Sequence, residues 1–109
     1  MMQTVAETSA FSRRADAMLT REERDALIDT LAANPLAGVV VVGLGGVRKL
    51  RWAPPGRGKS GAFRVIYYVV TRDRPILALF LYGKNEQADL NAQQRQVALR
   101  WVAQMKGEP

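Results

Sequence analysis

Apolar residues recur along this chain with two different periods, and the changes of period divide it into segments. Phe11, Ala15, Met18 and Leu19 share one side of a helix expected over Ala10 to Leu19, after a short strand at Gln3 to Thr8. Thr20 followed by Glu23 has the form of a capping box, in which two side chains satisfy the first free amides of a helix reciprocally. Ala26, Leu27, Leu31 and Ala32 continue at helical spacing until Asn34-Pro35 stops the run. After a Gly-interrupted stretch the period drops to two. Across Val47 to Ala53, Leu50 and Trp52 alternate with Lys49 and Arg51, as in a half-buried strand. Pro54 to Gly61 is a loop by composition, and the β-branched and aromatic run Ala62 to Thr71 is a second strand. Arg72 to Pro75 turns the chain. Ile76 to Tyr82 is apolar on both faces, which predicts a central strand covered on each side, ended by Gly83. From Leu90 a Gln- and Arg-rich helix places Leu90, Val97, Trp101 and Met105 near one stripe and ends before Gly107.

This order of strand, two helices, three strands and a final helix predicts an α+β domain with a mainly antiparallel sheet. The 109 residues fit a single domain, 1–109. The chain has neither Cys nor His. The first absence removes disulfides and thiolate chemistry; the second removes the usual base near neutral pH and the commonest metal ligand. Catalysis here must run on Lys, Arg, Tyr or carboxylates, and no metal or cofactor is expected. The start, Met1 to Val5, lacks the basic and apolar segments of a secretory signal, and the longest uncharged run, Pro35 to Val47, is too short to span a membrane. The expectation is a cytoplasmic protein with no membrane partner.

Two familiar phosphate-binding patterns fail on inspection. Gly43-Leu44-Gly45-Gly46 after Val39 to Val42 imitates a dinucleotide turn, but Arg48 stands where the third glycine belongs and no acid follows before Arg72. Gly58-Lys59-Ser60 resembles the end of a phosphate loop, yet Ala53 replaces its first glycine and a strand follows where a helix is required. The glycines are better explained as turns between strands.

Charge changes the picture more. The chain carries 16 Lys and Arg against 10 Asp and Glu, a net charge of +6. Six of the basic residues lie between Arg48 and Arg64, where there is no acid, and elsewhere the signs cancel. Such a local excess is the footprint of a polyanion partner, most often nucleic acid. If the strand holding Arg51 pairs with the strand holding Arg64, then Lys49, Arg51, Lys59, Arg64 and Lys84 form a cationic groove. Clustered like charges repel and bring little stability, so an anionic ligand explains them better than folding does. By contrast, Glu22, Glu23, Asp25 and Asp29 are most simply the solvated face of a helix. Trp52 and Trp101 fall on apolar periodic faces and are expected in the core, while Tyr68 shares its alternation with Arg64.

Three blocks, Gly45-Gly46-Val47-Arg48-Lys49-Leu50-Arg51-Trp52, Gly56 to Tyr68, and Tyr82-Gly83-Lys84-Asn85-Glu86, resemble in order and spacing the HigB-like branch of the RelE/ParE toxin superfamily. The resemblance runs from about Val5 to Met105. It implies a small RelE-like fold: a twisted sheet of about four strands with two N-terminal helices and a C-terminal helix. It also implies the toxin of a type II toxin-antitoxin system, a ribosome-dependent endoribonuclease that cleaves translated mRNA in the A site without a metal. The implied partners are a helix-turn-helix antitoxin, the ribosome with its rRNA and mRNA, and operator DNA only through the antitoxin. Lys49, Arg51, Arg64 and Lys84 match the family's catalytic cations, and Arg48, Arg57, Lys59, Tyr68 and Asn85 are the expected RNA contacts. The chain departs from the best-studied ribosomal nucleases of the family in having Asn85 where an arginine follows the last lysine, and no Tyr after Tyr82.

RNA holds its own nucleophile, so cleavage requires only that the 2′-OH be aligned with the phosphorus and that the developing negative charge be neutralised. Arg51 and Arg64 suit the phosphate oxygens, because guanidinium is permanently charged and binds as a fork. Lys49 or Lys84, among other cations, is the proton carrier. Two other readings share the fold: a ParE-like inhibitor of DNA gyrase that acts by binding alone, and a noncatalytic RNA-binding domain.

Overall fold

The computed structural model describes residues 4–57, 62–71 and 73–107. In chain order the elements are β1 (Val5–Glu7), α1 (Ser9–Met18), α2 (Arg21–Ala33), β2 (Val39–Val40), β3 (Arg48–Trp52), β4 (Phe63–Tyr68), β5 (Ile76–Gly83) and α3 (Ala92–Met105). The expected elements are all present, within a few residues of their expected ends. Five strands form one sheet in the order β1-β5-β4-β3-β2, with β1 parallel to β5 and every other pair antiparallel. The fifth strand is β2, a two-residue bridge to Arg48 and Lys49 that is too short to leave a period in the sequence. The middle of the sheet is β4; β5 lies beside it, flanked by β1.

Local chemistry explains the helix ends. Thr20 and Glu23 make the predicted capping box, and Asn91 and Gln94 make a second one at the start of α3. Thr8 caps α1 by accepting from the amide of Phe11, and its hydroxyl donates to the carbonyl of Leu79 at 2.7 Å. One buried side chain therefore starts a helix and fixes it to the sheet.

The sheet has a core on each face. On one, Phe11 and Ala15 of α1, Leu19 just after it, and Leu27 and Leu31 of α2 pack on Trp52, Phe63, Val65, Tyr67, Ile76, Ala78 and Leu81. On the other, Ala98 and Val102 of α3, with Leu44, Val47 and Leu90, pack on Ile66, Tyr68, Leu77, Leu79 and Tyr82. Trp52 is in the core, as its alternation predicts. Along α3 the buried stripe lies one residue on from the expected one. Ala98 and Val102 point at the sheet, and Trp101 and Met105 are half-buried beside them, because the small Ala98 lets the helix come close.

The strand β5 carries an irregularity with consequences for the site. Ile66 pairs with Phe80 but its neighbour Tyr67 pairs with Ala78, so Leu79 is left over as a β-bulge. Ile76, Ala78 and Leu81 consequently share one face, and Leu77, Leu79 and Tyr82 the other. In a regular strand Tyr82 would point the same way as Ile76 and Ala78. The extra residue turns it onto the α3 face.

Candidate functional site

Register assembles the site. Arg51 pairs with Arg64 across β3 and β4, and Arg64 pairs with Tyr82 across β4 and β5, so the three stand in a row on one face. Two residues along, Lys49 pairs with Ile66 and adds its ammonium to the same face. The core on this face includes Ile66, Tyr68 and Leu79. The cationic row lies beside that apolar floor.

The members of the row differ in how they are satisfied. Arg51 is exposed and has no hydrogen-bond or ion-pair partner among the described residues. Lys49 donates to Asp89 at 2.9 Å, from the segment between β5 and α3. That hydrogen bond and the charge of Lys49 hold the Asp89 carboxyl below the usual carboxylate range. Two polar atoms of the row are shielded from solvent and have no partner among the described residues: Nη1 of Arg64 and the hydroxyl of Tyr82. Burial pushes the Tyr82 phenol above its ordinary value; Lys49 and Arg64 oppose that shift and Asp89 adds to it. The Tyr82 phenol therefore senses all three charges.

The remaining expected residues are spread more widely. Lys84 follows β5, and its amide donates to the carbonyl of Ala62 at 3.3 Å, one step beyond the Phe63–Gly83 pair. With Asn85, which is exposed, it lines a shallow groove shared with Arg57, Phe63 and Met18, toward α1. Its ammonium has no ion-pair partner among the described residues. Arg48 lies on the opposite face from Lys49 and donates to the carbonyl of Gly38 at 2.7 Å. Arg57 is tied to Glu23 at 2.6 Å, and its guanidinium stacks over Phe63, 5.6 Å from the ring centre. Tyr68 is on the face of Arg64, as its alternation predicts, but it is buried in the α3 core. Its ring closes on Gly46, where a Cβ would come within 3.2 Å and φ is +112°. Lys59 lies outside the described residues.

Sequence reasoning missed Tyr82 and Asp89 as members of the cluster. Tyr82 sits in a strand apolar on both faces, so alternation is silent about where it points. Asp89 meets Lys49 only through the path of the chain after β5. No three carboxylates converge among the described residues as metal ligands would.

A five-stranded, mainly antiparallel sheet with two helices on one face and one on the other, opening a cationic row beside the third helix, defines a small α+β domain of RelE-like architecture. No family model matches the chain. Among solved structures it is similar to a mutant of the Escherichia coli toxin RelE in its free state, at a TM-score of 0.62 and 13% sequence identity, over 94% of this chain and 99% of that one. At that identity the likeness is one of fold. The expected architecture is present, with a fifth short strand added. No helix among the described residues is long and apolar enough to cross a membrane.

Proposed function

We propose that the chain is the toxin of a type II toxin-antitoxin pair, of the HigB-like branch, and acts in the cytoplasm as a ribosome-dependent mRNA endoribonuclease. The observation that carries this reading is the row Arg51, Arg64 and Tyr82, with Lys49 beside it, on a single sheet face. Its unpartnered guanidinium groups suit a phosphodiester better than a protein surface, since an orphaned buried donor costs stability until an acceptor arrives.

The chemistry follows from the groups. The 2′-oxygen attacks the adjacent phosphorus and loses its proton, the bond to the 5′-oxygen breaks, and that oxygen leaves with a proton as a hydroxyl. A 2′,3′-cyclic phosphate remains. Arg64 and Arg51 neutralise the charge that builds on the phosphate oxygens. Lys49, on the same sheet face as Arg64 and Tyr82, is favoured over Lys84, which opens on a different groove, as the proton carrier. Lys84 and Asn85 then serve the RNA from their groove beside Arg57, and Lys59 is a further RNA contact in this reading. The partners of this reading are a helix-turn-helix antitoxin and the translating ribosome.

Adding the protein to a cell-free translation system and mapping mRNA by primer extension tests the reading. New ends inside the translated frame, dependent on translating ribosomes, are expected. Intact mRNA together with inhibition of gyrase supercoiling would instead establish the ParE-like alternative.

A further inference from the structure

We infer that the Tyr82 hydroxyl is a hydrogen-bond donor to the RNA phosphate, forming with Nη1 of Arg64 a two-donor anion site in the cationic row. Tyr82 and Arg64 are direct cross-strand partners. Each keeps a polar atom out of solvent with no partner among the described residues. Buried polar atoms are almost always partnered, so two orphans side by side mark a place where an acceptor is missing. The guanidinium nitrogen can only donate and the phenol is able to donate, so one anionic oxygen would satisfy both. Asp89, an exposed carboxylate, already sits on Lys49 next to this pair, in the manner of an anion that an incoming phosphate can displace. The bulge at Leu79 adds a second reason. It breaks the strand's parity and brings a phenol to the face of Arg64, where an apolar residue would have closed the core without loss.

The neutral phenol is the useful form. With burial holding its proton above the ordinary value, Tyr82 is suited to donating rather than to taking up the proton of the 2′-OH. Its role is distinct from that of Lys49. In the transition state the phosphate oxygens gain charge, and a pre-aimed buried donor strengthens with them.

This inference rests on the cleft being an RNA site, and the test separates the two. Tyr82→Phe removes one oxygen and keeps the ring. Binding is measured with an RNA oligonucleotide carrying 2′-O-methyl groups throughout, which has no nucleophile, and cleavage is measured on translating ribosomes. The variant is expected to bind about tenfold more weakly, to cleave about a hundredfold more slowly, and to melt no lower than wild type. In the wild type, the ¹³C resonance of Tyr82 Cζ is expected to move when the oligonucleotide binds, a measurement that stands even if the variant fails to fold. Equal affinity of Tyr82→Phe and wild type overturns the inference, as does an unmoved Cζ resonance at saturation or no RNA binding at all. Loss of affinity in the variant while wild-type protein leaves translated mRNA intact supports the anion site and removes the nuclease reading. Full-rate cleavage by the variant does the reverse.

Discussion

The arginines on the two faces of the sheet lead different lives. On the face covered by α1 and α2, four have acceptors: Arg14 pairs with Glu86, Arg24 bridges Glu7 and Asp16, Arg57 pairs with Glu23, and Arg48 holds the carbonyl of Gly38. On the α3 face, Arg51 and the Nη1 of Arg64 have none among the described residues. Arg95 of α3 is braced as well, donating to the carbonyl of Val42 at 2.8 Å, so the unspent charge on that side belongs to the row itself. Partnering distinguishes them, where abundance does not.

The sharpest way to break this contrast is to remove one arginine from each face. Arg64→Ala is expected to lower mRNA cleavage by about 10²- to 10³-fold while leaving the melting temperature near that of wild type, as primer extension and circular dichroism would show. Arg24→Ala should do the opposite. It leaves the part-buried Glu7 carboxylate with only the Ser12 hydroxyl as a donor and is expected to cost about 1–3 kcal/mol in urea unfolding, with the folded fraction cleaving at the normal rate. If Arg24→Ala abolished cleavage in folded protein, the division between braces and site would be wrong.

A smaller effect concerns salt. Arg51→Gln should weaken RNA binding several-fold and flatten the plot of log affinity against log salt by about 0.7, the amount expected for one phosphate contact on a single strand. Arg57→Gln, whose charge Glu23 already engages, should leave that slope nearly unchanged. Equal changes for both would erase the distinction.

The smallest effect is alkaline. Burial raises the phenols of Tyr67 and Tyr82 above their ordinary value, so near pH 10 and beyond the folded protein keeps protons that the unfolded chain releases. The stability this confers is complete below the unfolded value and is lost as pH climbs through the folded ones. In tyrosinate absorbance titrations, Tyr67→Phe and Tyr82→Phe should each delete a late-titrating component. Only the second should also alter RNA binding.

Much of the scaffold was legible in the amino-acid order because its signals are local. Thr20 and Glu23 announce a capping box within four residues, and the alternation of Leu50 and Trp52 with Lys49 and Arg51 separates the two faces of β3 correctly. The strands of Arg51 and Arg64, which the sequence suggested as partners, do pair, with the two arginines directly opposite each other. What stayed hidden depends on distant partners. The retirement of Arg57 by Glu23 and of Arg48 by Gly38, and the pairing of Lys49 with Asp89, join residues far apart in sequence. Lys84 shares the end of β5 with Tyr82, yet it opens on a different groove, since the turn after Gly83 redirects the chain. Tyr82 itself escaped notice because β5 is apolar throughout, and one surplus residue decides its direction.

That surplus residue divides β5 into two halves whose facing is set independently. If Leu79 took a regular place in the ladder, every residue after it would change sides: Leu81 would look out over the cations, and Tyr82 would turn toward the core under α1 and α2. Deletion of Leu79 has the opposite outcome, because alternation would then run unbroken from Ile76 to Tyr82 with each residue on its present face, at the cost of one buried leucine. The strand tolerates being shortened by that residue and fails if it is straightened with the residue kept, so what inheritance has to preserve here is a step in the count rather than the identity of a side chain.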